Sequence, residues 1–189
     1  MRGITTGLIA LALNGFMGST AAQPAYVAGS AGSTQWSYDC GPAGCARDSR
    51  AWRLAAGYRF NGVLALEAFY FDFGRARSSD YAVDGALGAS GAGVQSLIGW
   101  HFGDFEFAAK IGLADLANDF RASPTSSYAS TRVHRKELVA GWMGSYPLSP
   151  DVSIRFDIDF LTVALDGDAL FYARGSNLRS TTLGLAYRF

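Results

Sequence analysis

The 189 residues carry 16 basic and 16 acidic side chains, so the balance offers no strongly basic surface for nucleic acid. Charged residues make up only 17%, while aromatics reach 14% and glycines number 23, which suits strands against an apolar medium or an aromatic-rich soluble β-sandwich. The length is that of one domain.

Residues 1–22 read as a secretory signal. Arg2 supplies a thin positive start, Ile4 to Phe16 an apolar stretch, and "GSTAA" a small-residue end that places cleavage after Ala21 or Ala22. The stretch is too short for a spanning helix. The mature domain is expected to cover residues 23–189. The first strand, roughly Ala25 to Thr34, is rich in Gly, Ala and Ser and leaves its faces unassigned. Next comes "CGPAGC". In an exported chain, Cys40 and Cys45 are expected to form a disulfide across a tight turn, with free thiols as the alternative.

Of the next six segments, five alternate with period two, the signature of a strand with one apolar face. In "WRLAAGYRF", Trp52, Leu54, Ala56, Tyr58 and Phe60 oppose Arg53, Ala55, Gly57 and Arg59. Val63 to Phe73 is apolar almost throughout, with Glu67 as its central charge. Val94, Ile98, Trp100 and Phe102 oppose Gln95, Gly99 and His101. Phe105, Phe107, Ala109, Ile111 and Leu113 oppose Glu106, Ala108, Lys110 and Gly112. Leu138, Ala140, Trp142 and Tyr146 oppose Glu137, Gly141 and Ser145. The cleanest case is "VSIRFDIDF", in which five apolar residues oppose Ser153, Arg155, Asp157 and Asp159. Leu178 to Phe189 is the eighth strand.

The connections alternate in length. Asn61-Gly62, Gly103-Asp104 and Pro147 to Asp151 are tight turns. Long connections are expected over 36–50, 74–91, 115–132 and 165–177. The expected fold is therefore all-β: an eight-stranded antiparallel up-and-down barrel with its long loops at one end.

A soluble barrel keeps its apolar face inside, and a membrane barrel inverts this. Three features favour inversion. Tyr58, Phe60, Trp100, Phe102, Phe105 and Tyr146 flank the tight turns, as an aromatic girdle would. The polar face holds five cations (Arg53, Arg59, Lys110, Arg155, Arg188) and five anions (Glu67, Glu106, Glu137, Asp157, Asp159), as a closed lumen needs. Asp72, Lys136 and Arg179, which have apolar-face parity, fall at the long-loop ends, where a lipid-facing charge costs little.

With these residues in view, the chain resembles the small eight-stranded outer-membrane proteins of Gram-negative bacteria, the OmpA-like transmembrane domain and OmpX-like barrels. The resemblance covers residues 23–189. Its most specific element is the last strand, where Thr182, Gly184, Tyr187 and Phe189 match the family's terminal pattern. It implies a multi-pass location in the Gram-negative outer membrane and a terminal signal read by the barrel-assembly machinery, with periplasmic chaperones during biogenesis. Outer-membrane lipids and lipopolysaccharide are the implied partners, and the extracellular ligand is unknown.

The implied role is structural or surface-interacting: envelope integrity, adhesion, or contact with lipopolysaccharide or host. Arg47, Arg50, Arg75, Arg77, Arg121, Arg132 and Arg174 fall in the expected long connections, where guanidinium groups suit phosphate. Lipid A-modifying barrels need a Ser/His/acid set near the outer leaflet; His101 is expected at the tight-turn end, pointing inward, and His134, at the long-loop end, has no serine beside it. No catalytic residue, metal or cofactor is expected. An enzyme and a small channel remain the alternatives.

Overall fold

The computed structural model describes residues 24–37, 45–46, 48–80, 83–124, 129–163 and 176–189. The expected signal peptide and Cys40 lie outside them, as does the Cys45 side chain, so the expected disulfide does too. Among the described residues there are eight long strands: β1 (Ala25–Ser37), β2 (Asp48–Arg59), β3 (Leu64–Asp80), β4 (Val83–Phe102), β5 (Phe105–Pro124), β6 (Ala129–Pro147), β7 (Val152–Val163) and β8 (Ser176–Arg188). A two-residue segment, Cys45–Ala46, pairs with Ser78 and Arg77 on β3.

Each long strand pairs antiparallel with its chain neighbour, and β8 returns to pair with β1 from Trp36↔Leu178 down to Tyr26↔Arg188. The sheet closes, so no edge runs along the membrane span. Stepping from partner to partner, Tyr26 leads through Gly57, Glu67, Gln95, Gly112, Val139, Leu161 and Leu178 to Trp36, ten residues from the start. That stagger with eight strands requires a tilt of about 40° and a backbone diameter of about 16 Å, a bore that side chains fill.

The faces are inverted relative to a soluble barrel. Leu54, Val94, Ile111, Leu113, Leu138 and Leu183 are exposed, whereas Arg53, Glu67, Lys110, Arg155, Asp157 and Asp159 are buried. The first strand now has its faces: Tyr26, Thr34 and Trp36 point inward. The tight turns stand where they were expected. Asn61 Oδ1 accepts the amides of Val63 and Leu64, and Gly103 takes a φ of 62° that suits a two-residue turn.

One expectation is corrected. The connections 74–91 and 115–132 are mostly strand. β3 to β6 run for 17, 20, 20 and 19 residues, against 12 or 13 for β1, β2, β7 and β8. Above the bilayer the outer face no longer has to be apolar, so polar and small residues continue the ladder. At about 2.5 Å of axial rise per tilted residue, β4 and β5 are about 20 Å longer along the axis than β1, β2, β7 and β8. A bulge between Asp72 and Arg75 marks the transition on β3. Gly74 sits there at a φ of 69°, and its N–H donates to Asp72 Oδ1 at 2.8 Å.

Candidate functional site

The lumen is built in layers. Its centre holds three cations and three anions in a closed ring. Glu67 pairs with Arg53 at 2.7 Å, Arg53 with Asp159 at 3.1 Å, and Asp159 with Lys110 at 2.8 Å. Lys110 pairs with Asp157 at 2.7 Å, Asp157 with Arg155 at 2.7 Å, and Arg155 with Glu67 at 2.6 Å. Period two explains half of it: Arg155, Asp157 and Asp159 are successive inward positions of β7. The other three come from β2, β3 and β5.

Glu67 is the best-connected member and is completely buried. Its carboxylate also accepts from the Tyr26 hydroxyl at 3.0 Å and from Gln95 Nε2 at 2.8 Å. Alternating signs and mutual hydrogen bonds are what let six charges leave water together.

Of the ten charges expected in the lumen network, these six meet. Arg59 and Glu106 form a separate pair at 2.6 Å nearer the tight turns, with Arg59 a quarter exposed. Glu137 and Arg188 are half-buried and lie outside the ring.

Toward the long-loop end, apolar side chains occupy the bore. Trp36, Phe69, Phe71, Phe73, Leu116, Val139, Leu161 and Leu178 are all buried in one cluster. Phe71 packs against Phe69 and Phe73 at centroid distances of 5.3 and 4.2 Å. The Arg53 guanidinium lies 4.5 Å from the Phe69 ring centroid and joins this plug to the ring below. Trp36 Nε1 donates to Ser49 Oγ at 2.9 Å. A smaller apolar cluster of Ala65, Leu97, Ala108 and Met143 lies on the tight-turn side. The plug was missed in the sequence because Val63 to Phe73 is apolar on both faces. That double-sided run was itself the available signal.

The girdle residues Phe60, Trp100, Phe102, Phe105 and Tyr146 are exposed around the tight-turn end, and Tyr58 is half-buried beside Phe60. Tyr187 and Phe189 stack at 6.2 Å on the same rim. Thr182 faces the lumen and accepts from Ser30 Oγ at 3.0 Å across the β1–β8 seam. Gly184 has a physical reason to be glycine: a Cβ there would collide with the Gly29 carbonyl and Ser30.

At the opposite rim Arg50 and Arg75 are exposed. Arg77, Arg121 and Arg132 are carried on the extended parts of β3, β5 and β6, while Arg47 and Arg174 lie outside the described residues. His134 Nδ1 stands 3.5 Å from Asp115 Oδ1, both well exposed on the outer wall, and His101 is exposed near the tight turns. Lys136 lies directly opposite Asp115 in the ladder.

Several solved structures share this architecture. Neisserial surface protein A is 16% identical, with 87% of this chain and 97% of that chain covered at a TM-score of 0.58. Ail, the attachment invasion locus protein of Yersinia pestis, in complex with the heparin analogue sucrose octasulfate, is 14% identical over 88% of this chain and 99% of that chain, at 0.56. OprG from Pseudomonas aeruginosa is 12% identical over 89% of this chain and 96% of that chain, also at 0.56. No curated protein matches the chain. The family model for the OmpA-like transmembrane domain matches residues 20–189. An inverted, closed, eight-stranded barrel and this match together establish that the chain belongs to the OmpA-like transmembrane domain family of Gram-negative outer-membrane proteins.

Proposed function

We propose that the barrel is a non-enzymatic scaffold that acts by contact at the cell surface and recognises polyanions: lipopolysaccharide phosphates or sulfated host glycans. The observation that carries this reading is the unequal length of the strands. β3 to β6 stand clear of the bilayer as a continuous sheet while the lumen beneath them is filled. What the outside encounters is this projecting wall. Arg50 and Arg75 are exposed at its base, and Arg77, Arg121 and Arg132 sit higher on it. Guanidinium forks suit phosphate and sulfate alike. The complex of Ail with a heparin analogue supports the same ligand class on the same fold.

The test is binding of sucrose octasulfate and of lipopolysaccharide to barrels in nanodiscs. Replacing Arg50, Arg75, Arg77, Arg121 and Arg132 together by glutamine is expected to weaken binding at least about tenfold and to flatten its salt dependence. Unchanged affinity for both ligands would overturn the proposal.

A further inference from the structure

The outer wall has one local defect. Outward positions on most strands carry large side chains, but those of β1 are Val27, Gly29, Ala31, Ser33 and Gln35. Between Leu54 on β2 and Leu185 and Tyr187 on β8, this leaves an apolar groove of about 490 Å³ with Gly29 and Ala28 in its lining. Val27, Tyr187 and Val152 are in register with one another at its lower end, just above the turn Leu148 to Asp151. The groove therefore lies in the periplasmic half of the span, at the depth of the inner leaflet.

We propose that this groove is a binding site for one acyl chain of an inner-leaflet phospholipid with a cationic amine in its headgroup, phosphatidylethanolamine rather than phosphatidylglycerol. The occupant follows from depth and shape. Water does not fill an apolar hollow facing lipid, and an unfilled hollow forfeits packing contacts. A second copy of the chain fits poorly, because two-fold pairing would set groove against groove.

The headgroup follows from charge. The described periplasmic turns carry two ionic side chains, Asp104 and Asp151, both acidic and exposed. The cations nearest this rim, Arg59 and Arg188, have lumen-facing parity. Asp151 adjoins Val152 in the groove wall, and its turn is closed by backbone hydrogen bonds. The Leu148 amide donates to the Val152 carbonyl at 2.8 Å, and the Arg188 amide to the Asp151 carbonyl at 2.8 Å. A carboxylate one residue from the groove wall attracts an ammonium group and repels a purely anionic head.

The site can be closed without breaking the wall. A Cβ at Gly29 would meet only Leu54 Cδ2, at an ordinary 3.5 Å. Native mass spectrometry of the barrel, released from micelles with equimolar phosphatidylethanolamine and phosphatidylglycerol of matched chains, reads both parts. The wild type is expected to retain one phosphatidylethanolamine. Gly29→Leu, or Gly29→Val if the larger side chain hinders assembly, is expected to lose that adduct while keeping the heat-dependent gel shift of a folded barrel. Asp151→Asn is expected to keep an adduct but bring the two lipids to near parity, a change of about two- to fivefold. Equal retention by the Gly29 variants would overturn the site. An undiminished amine preference in Asp151→Asn would overturn the headgroup assignment. A wild-type dimer that Gly29→Leu converts to monomer would show that a second copy covers the groove.

Discussion

Glu67 shows at the scale of one residue why the lumen is a structural element. It answers two buried arginines, a tyrosine and a glutamine with one carboxylate. Removing it would leave Arg53 and Arg155 buried and short of a counter-charge. Glu67→Ala is therefore expected to lower unfolding free energy by about 3–5 kcal/mol. Glu106→Ala, whose partner Arg59 is partly solvated, is expected to cost no more than about 1 kcal/mol. Urea unfolding of the two variants in the same detergent checks the difference, and equal costs would mean that the ring behaves no differently from the mouth. All six ring members were legible as lumen charges, three of them in the single run "VSIRFDIDF", where alternation sets Arg155, Asp157 and Asp159 on one face. Its pairings were not legible, since which cation meets which anion depends on how neighbouring strands slide.

At the scale of the element, β8 carries two duties in thirteen residues. Its lumen side supplies Ser180 and Thr182 to the seam, and Gly184 lets β1 approach. Its outer side ends in Tyr187, and Phe189 follows one residue past the strand, both half-exposed on the periplasmic rim. Phe189 stacks on Tyr187, and its amide closes onto the Ala25 carbonyl at 3.1 Å. The family resemblance implies an assembly signal at this position, which a deletion tests. Deleting Phe189 is expected to reduce folded barrel in the outer membrane severely in cells while costing purified, refolded protein no more than about 1 kcal/mol. Comparable losses in both settings would mean that Phe189 is simply part of the wall. The lengths of β3 to β6 were misjudged in the sequence because Gly-, Ala- and Ser-rich stretches look like loop. Within a hairpin already begun, each added residue still gains ladder hydrogen bonds.

At the scale of the whole molecule, a bore of about 16 Å is closed twice, by the charge ring and by the aromatic plug above it. Steady single-channel conductance is not expected in planar bilayers, and Phe71→Ala combined with Phe73→Ala is not expected to create it while the ring stands. A steady conductance in the wild type would show a path around both layers. The amino-acid sequence by itself determined the strand number, the two faces of most strands and the inverted polarity, because each is written in local period and turn chemistry. Only the tertiary structure decided which charges pair, where the aromatics of β3 go and where the lipid face is hollow. These depend on a ten-residue stagger summed over all eight pairings, a property of the closed cylinder that no single strand contains.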